Sequence, residues 1–366
     1  MDKARVGVIG CGNISGIYLA NLARKFANVE VAAVADLLPE RAQARAAEHG
    51  IARACSVDEL LADPGIEVVL NLTVPIAHAE VTLQAIGAGK HVYTEKPLAV
   101  SLRDGERILA QARKKGVRVG TAPDTFLGAG IQACIRLINE GAIGVPVAAT
   151  AFMTCHGHEG WHPDPAFYYA QGGGPVFDMG PYYFTALVAL LGPAQRVCGS
   201  VKRTFARRTV GSGPKEGEII DVQVPTHAAG TIDFAVGAVA SFVMSFDVWH
   251  AQLPRIEIYG SDGSLSVPDP NTFGGPVRLR AATDTEWRDV AVPSQYEDNS
   301  RGLGLSEMVE AMRENRPHRA SGALGLHVLE IIHAVHDASS AERYAALRFP
   351  VDRPEPLPDE ALTADG

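Results

Sequence analysis

The chain has 366 residues, 46% hydrophobic and 20% charged, a length for two domains or three and a balance that excludes wholesale disorder. Its 33 Lys and Arg against 42 Asp and Glu give a formal charge of −9, without the basic surplus of a nucleic-acid binder, and no apolar run is long enough for a membrane span. The opening MDKARVGVIG lacks a signal-peptide layout, and the five scattered cysteines form no CxxC pair, so free thiols in a reducing cytoplasm are expected.

The segment ARVGVIG reads as a buried parallel strand ending in glycine. Gly10, Cys11, Gly12, Asn13, Ile14 and Ser15 form the turn into a helix (IYLANLARKF), and a second apolar strand, VEVAAVAD, ends at Asp36. This is one βαβ unit of Rossmann length. Gly10 allows a tight turn, Gly12 lets the backbone approach a pyrophosphate, and the helix behind offers N–H groups and partial positive charge. Asp36, 24 residues after Gly12, suits a carboxylate that accepts from ribose hydroxyls and repels a 2′-phosphate. NAD is therefore expected over NADP. Arg41 is close enough to blur that preference, although a solvated helix face is the better reading of it.

Strand and helix signals keep alternating: IEVVLNLTVP, HAEVTLQAIGAGK, HVYTEKP, SLRDGERILAQARKKG and VRVGTAPD. The expectation is a doubly wound parallel sheet over residues 1–123 as an NAD-binding domain. Ligands bind beyond the carboxyl ends of such strands. Thr73, Pro75, His78, Glu95, Lys96, Pro97 and Asp124 fall there, and all of these but Pro97 join Gly10, Gly12, Asn13, Ile14, Asp36 and Arg41 as cofactor candidates.

From 124 to 366 the pattern changes. GIQACIRLINEGAIG reads as a helix with a glycine stop. VPVAATAFMT, RVCGSVKRTFA, HAAGTIDFAVGAVASFVMSFDVW, PRIEIYGSDGSLSV and VRLRAAT then read as a large, mainly antiparallel open sheet. Helices return in SEMVEAMRENRP and ALGLHVLEIIHAVHDASSAERY, and the polar tail PDEALTADG is expected to fray. This second domain is expected to bind substrate and support oligomerisation. The fold class is thus an N-terminal Rossmann α/β domain followed by an α+β domain.

The stretch TCHGHEGWHPDPAFYY concentrates Cys155, His156, His158, Glu159 and His162. Zinc would accept such ligands, but no distal CxxC or HxxxH completes a site, so no metal is expected. Strand alternation would put His156 and His158 on one side. The segment suits a substrate loop over the nicotinamide, with Trp161 stacking on a sugar or the cofactor and His162 donating to a hydroxyl; loop packing alone is the alternative. Glu330, His333 and His336 read as one face of an amphipathic helix. Arg203, Arg207 and Arg208 read as a solvated strand edge or loop rather than an anion site.

The GCGNIS turn, the Glu95-Lys96-Pro97 triplet 83 residues beyond Gly12, and the sheet-rich second half resemble the Gfo/Idh/MocA oxidoreductases. In that family an Asp-x-Gly-x-His-x-x-Asp motif follows a glycine run. Here GGGPVFDMGPYYFTALVALLG matches at Asp178 and Gly180, with Tyr182 at the histidine position and Thr185 at the last acid position. The histidine is the family's usual general acid/base, so the resemblance implies catalysis with a changed proton-transfer group. A lysine ammonium beside a phenol lowers its pKa from about 10. Lys96 is then the electrostatic partner and Tyr182 the acid/base, with His162 a minor claimant and Asp178 orienting hydroxyls; a core role for Tyr182 is the alternative. Lys96, Phe126, His156, Trp161, His162, Asp178 and Tyr182 are the substrate candidates. Asp124, His156, His162, Asp178 and Tyr182 suit a polyhydroxylated ligand. The expected function is an NAD-dependent dehydrogenase or reductase of a sugar, polyol or glycoside. The alternatives are redox-assisted glycoside cleavage with retained NAD, and a non-catalytic NAD- and sugar-binding regulatory protein. The resemblance also implies a homo-oligomer, a dimer or tetramer, through the second sheet.

Overall fold

The computed structural model describes residues 3–362, which cluster into two compact units. The first comprises Met1–Leu127 and Asn299–Leu329, the second Gly128–Asp298 and Glu330–Gly366.

The first unit alternates β1 (Ala4–Ile9), α1 (Ser15–Arg24), β2 (Val29–Ala35), α2 (Pro39–His49), β3 (Ala54–Cys55), α3 (Val57–Ala62), β4 (Val68–Asn71), α4 (Pro75–Gly87), β5 (His91–Thr94), α5 (Leu102–Lys115) and β6 (Val119–Thr121). All six strands are parallel, in the order β3-β2-β1-β4-β5-β6 that defines a Rossmann sheet. The core strands are apolar on both faces because helices cover both: Val6 and Val8 of β1 and Val68, Val69 and Leu70 of β4 are buried. Local chemistry sets the helix limits. Pro39 opens α2 and left-handed Gly50 closes it. Ser56 and Glu59 form a capping box on α3. Ser101 caps α5, whose last turn carries Arg113, Lys114 and Lys115 against the carbonyl end of its dipole.

The return of Asn299–Leu329 to this unit goes beyond the single boundary near residue 123 read from the sequence. Buried Asp124 explains it, accepting from the backbone N–H groups of Gly302 (2.9 Å) and Gly304 (3.0 Å). These residues open the helix Leu303–Arg313. Burial pushes the Asp124 carboxyl up to about 6.

The second unit holds a nine-stranded sheet. In chain order it contains α6 (Ala129–Asn139), β7 (Pro146–Thr154), α7 (Pro175–Asp178), α8 (Gly180–Leu191), β8 (Ala194–Lys202), β9 (Arg207–Thr209), β10 (Ile219–Asp221), β11 (His227–Phe234), β12 (Val239–Ser245), β13 (Ile256–Gly260), β14 (Gly263–Val267), β15 (Val277–Ala281) and β16 (Arg288–Val290). The helix Leu303–Arg313 is α9; α10 (Gly322–Ala341), β17 (Ala345–Ala346) and α11 (Asp359–Leu362) complete the chain. The sheet order is β16-β15-β14-β13-β7-β12-β11-β8-β17, antiparallel except for the β7–β12 pair, with β9 and β10 a separate hairpin. One face alternates inward through Phe242, Met244, Ile232, Ile258, Leu265 and Leu279. α8 is buried all round, and Phe184 meets Phe242 edge-on with ring centroids 5.5 Å apart. Burying each large apolar side chain contributes roughly 1.5–3 kcal/mol, so this helix is a main contributor to the unit's core. The tail is more ordered than its polar sequence suggests: Asp359–Leu362 make a helical turn with Leu362 buried, while the last tail residues, 363–366, lie outside the described ones. No helix among the described residues is long and apolar enough to cross a membrane.

Candidate functional site

In the first unit, β1 ends at Ile9 and the chain turns at Gly10, with φ +103°. A Cβ there would stand 2.6 Å from the Leu72 carbonyl carbon, so only glycine fits. At Gly12 a Cβ would meet nothing, which leaves the backbone open to a ligand. Asn13 and Ile14 lead into α1, which has no acidic residue in its first turn and no side-chain cap. Its first N–H groups therefore keep their electropositive character.

Asp36, one residue past β2, braces this turn. Its Oδ2 accepts from the Cys11 N–H at 2.7 Å and its Oδ1 from the Leu38 N–H at 2.9 Å. Arg41 is exposed on α2. The cation that reaches the glycine turn is Arg45, one helical turn later, whose Nη2 donates to the Gly12 carbonyl at 3.2 Å. Leu37 (93% exposed), Val74 and Ile76 (81%) stand at the carboxyl ends of β2 and β4. Exposed apolar side chains on this edge suit a planar, apolar-faced base. Sequence reading missed them and Arg45; a search for apolar residues immediately after strand ends would have found the first group.

Thr73 is half-buried, bonded through Oγ1 to Asn71 Oδ1 at 2.7 Å, and Pro75 opens α4. Lys96 is half-buried, and the Lys96–Pro97 peptide is cis. Its N–H donates to Glu95 Oε2 at 2.8 Å, while Glu95 Oε1 accepts from the buried Tyr18 hydroxyl at 2.7 Å. Four sequence candidates turn inward instead of toward a ligand. Glu95 spends both oxygens on these bonds. Asp124 holds the start of α9. Phe126 is a core ring at 1% exposure, and His78, equally buried, faces two backbone carbonyls. The reason is shared: residues just after strand ends also have to close the turns beneath the surface.

In the second unit, the 155–162 segment does not continue the strand. β7 stops at Thr154 and Gly157 takes φ +85°, so the expected alternation fails and the histidines part company. His156 stacks on Trp249 (3.4 Å, 11°), and its Nε2 lies 3.2 Å from Arg208 Nη1. His158 stacks on Tyr168 (4.0 Å, 11°), with Nε2 3.7 Å from Asp178 Oδ2. Trp161 is exposed beside His158 and His162. His162 Nδ1 accepts from the Asp164 N–H at 3.1 Å. Asp178 closes α7, and Tyr182 lies in the first turn of α8 at 8% exposure.

Arg208 corrects the sequence expectation of a solvated arginine group. It is 6% exposed and donates to Glu159 Oε1 (2.9 Å), the Phe246 carbonyl (2.9 Å) and Asp247. Glu159 also accepts from the Tyr169 hydroxyl, and Asp247 Oδ2 accepts from Thr226 Oγ1 at 2.8 Å. This network fixes the 155–162 segment to the end of β12. Burial and Glu159 together push the Tyr169 phenol up, which keeps it a donor. A cavity of about 510 Å³ lies over it, lined by His156, Phe205, Arg208 and Trp249 among others. Among the described residues no three His, Cys, Asp or Glu side chains group to hold a metal.

These features have counterparts in known proteins. The sequence profile of the Gfo/Idh/MocA oxidoreductase family with its NAD-binding Rossmann fold matches residues 4–122, and that of the Gfo/Idh/MocA C-terminal domain matches 131–266. The chain belongs to the Gfo/Idh/MocA family. It is an oxidoreductase whose first domain is of the NAD-binding type. Among Gfo/Idh/MocA relatives and similar proteins, 1,5-anhydro-D-fructose reductase of Ensifer adhaerens is 33% identical over 71% of this chain and 74% of its own. The dTDP-3,4-didehydro-2,6-dideoxy-alpha-D-glucose 3-reductase of Streptomyces violaceoruber is 30% identical over 92% of this chain and 95% of its own. In fold, an NAD-binding oxidoreductase from Klebsiella pneumoniae superposes with TM-score 0.82 at 20% identity, covering 94% of this chain and 99% of that one. Levoglucosan dehydrogenase in complex with NADH and L-sorbose superposes with TM-score 0.80 at 22% identity, covering 95% and 100%.

Proposed function

We propose that this chain is an NAD-dependent dehydrogenase or reductase. It transfers a hydride between nicotinamide and a secondary alcohol or ketone of a sugar, polyol or glycoside. The observation that carries the reading is one sheet edge bearing both the Gly10–Asp36 turn and, two strands from β1, Lys96. The substrate class is supported by the sugar chemistry in the names of the relatives.

The residues present fit the cofactor. Gly10, Gly12, Asn13 and Ile14 would hold the pyrophosphate on the start of α1. Asp36 would take the ribose, favouring NAD over NADP. Leu37, Val74 and Ile76 would flank the adenine, and the turn at Thr73 and Pro75 would line the way to the nicotinamide. When bound, NAD supplies the hydride acceptor and NADH the donor. The second unit is then the substrate-binding and oligomerisation domain.

The proton is moved by the chain's own groups. The Lys96 ammonium polarises the substrate oxygen and favours its alkoxide form. Tyr182, standing where the family's usual histidine stands, takes the hydroxyl proton at Oη in oxidation and returns it in reduction. Asp178 orients neighbouring hydroxyls. His162 suits a binding role better than a base: when neutral, with Nδ1 accepting from Asp164, its proton sits on Nε2, which can only donate. Trp161, exposed and beside it, offers a stacking face to a sugar ring. Homo-oligomerisation through the second sheet is supported by its outward face, where Thr150, Phe152, Ser241 and Val243 alternate with core residues. A reducing, cytoplasmic setting is supported by five unpaired cysteines.

The test is titration with NAD, NADH, NADP and NADPH by fluorescence and thermal shift. Absorbance at the NADH band is then followed with 1,5-anhydro-D-fructose, levoglucosan, L-sorbose and myo-inositol. The reading expects NAD(H) to bind in preference to NADP(H) and at least one compound to change the NADH signal. NADH binding with no redox change on sugars, polyols or glycosides would replace it with a retained-cofactor cycle or a non-catalytic binding protein.

A further inference from the structure

One buried side chain ties together two turns at the carboxyl edge of the first sheet. Thr73 follows β4 and Lys96 follows β5, the neighbouring strand. His78, in the first turns of α4, sits between them. Its Nδ1 is 2.7 Å from the Pro97 carbonyl oxygen and its Nε2 is 2.9 Å from the Thr73 carbonyl oxygen. The ring is 1% exposed, so neither water nor ligand competes for those nitrogens.

Each turn is also held from its other side. Asn71 Oδ1 accepts from the Thr73 N–H at 3.2 Å and its hydroxyl at 2.7 Å. The Asn71 amide donates to the His78 carbonyl and to Thr82 Oγ1, both at 3.1 Å. Glu95, anchored by Tyr18, accepts from the Lys96 N–H. Only His78 joins the two turns to each other among these bonds. Both partners are carbonyl oxygens, so the ring donates to both at once only as the imidazolium; the Pro97 and Thr73 carbonyls and Glu95 favour that form, while burial, the largest influence, and Lys96 oppose it.

We propose that His78 is a positioning residue: as the imidazolium it donates from Nδ1–H to set the turn that bears Lys96 and from Nε2–H to set the turn that bears Thr73. It touches neither cofactor nor substrate. The proposal rests on the reading of Lys96 as the catalytic lysine and of the Thr73 turn as part of the cofactor site. A kinked tether of this kind holds a flexible lysine's backbone in place so that its ammonium samples a narrow volume.

The two arms are separable. An asparagine amide nitrogen stands close to where imidazole Nδ1 stands, and a glutamine amide nitrogen close to where Nε2 stands. His78→Asn therefore keeps the Pro97 bond and loses the Thr73 bond, and His78→Gln does the reverse. The full chain and the variants His78→Asn, His78→Gln and His78→Leu are compared by amide hydrogen exchange of segments 72–77 and 94–99, NADH fluorescence titration and thermal melting. His78→Asn is expected to keep protection over 94–99, to exchange about 10-fold faster over 72–77 and to bind NADH about 10-fold more weakly. His78→Gln is expected to keep NADH affinity within about 2-fold and to exchange about 10-fold faster over 94–99. His78→Leu loses both. Equal losses in the Asn and Gln variants, tracking their melting temperatures, would reduce His78 to a core filler; wild-type behaviour in all of them would remove the tether. Failure of the wild-type chain to bind NADH would instead overturn the cofactor reading, while the exchange data still judged the tether.

Discussion

In the first unit Gly10, Asp36, Thr73 and Lys96 each lie within two residues of a strand's carboxyl end. In the second, the side chains that shape the candidate substrate loop meet across the chain: Arg208 reaches Glu159 49 positions away and Asp247 39 positions away. One unit writes its site into local strand–turn–helix grammar; the other assembles it from a buried charge network. The first kind of site survives changes elsewhere in the fold, because each turn is set by its own strand end. The second depends on a single ion cluster, and losing one member should disturb several segments together.

Breaking that cluster gives the largest expected effect. Arg208→Met leaves Glu159 and Asp247 buried without their cation, which costs roughly 3–5 kcal/mol. Chemical denaturation should show that loss, and NADH titration should show a first unit that still binds. A drop below about 1 kcal/mol would mean that water reaches the carboxylates and the network does not hold the loop.

Tyr182→Phe removes only the phenol oxygen. Turnover is expected to fall by about 10²-fold or more with NADH affinity unchanged. Unchanged turnover would return Tyr182 to the core and leave the proton to another group.

The first unit has a buried charge of its own in Asp124, whose pKa stands at about 6, above the ordinary carboxylate value of the unfolded chain. The fold therefore favours the protonated acid. Its contribution is fully present below the unfolded pKa and is lost as pH rises through about 6. Asp124→Asn should flatten this dependence, gaining on the wild type by about 2–3 kcal/mol between pH 4 and 7 in pH-resolved melts. Parallel curves would place the Asp124 carboxyl at its ordinary pKa.

The smallest effect probes the local grammar. Asp36→Ala should weaken NADH by about 10-fold and narrow the gap to NADPH. An unaltered preference would assign Asp36 to bracing Cys11 and Leu38 alone.

The same contrast explains what was legible in the sequence. Gly10, Gly12 and Asp36 could be placed because their spacing follows from a strand, a tight turn and a helix. Lys96 could be placed because the strand HVYT ends two residues before it. Arg41 is exposed, as its solvated-face reading expected, and Arg45 was missed because spacing along α2 does not tell which turn reaches Gly12. His78, Glu95, Asp124 and Phe126 were read as ligand-facing because position along the chain does not distinguish the top of a turn from its underside. Within 155–162 the alternation rule was applied past the end of β7. The buried role of Arg208 follows from the short strand β9, where alternation sends it inward between Arg207 and Thr209, yet nothing local announces a three-residue strand. The return of Asn299–Leu329 to the first unit likewise depends on backbone N–H groups far from Asp124 in sequence.

The most direct measurement of the central claim compares wild type with Lys96→Met for NADH binding and for NADH-linked turnover of the sugar and polyol panel. The account predicts that both bind NADH within a few-fold of each other, that wild type turns over at least one compound, and that the variant loses at least about 10³-fold in turnover. A Lys96→Met protein that turns over at the wild-type rate would contradict it.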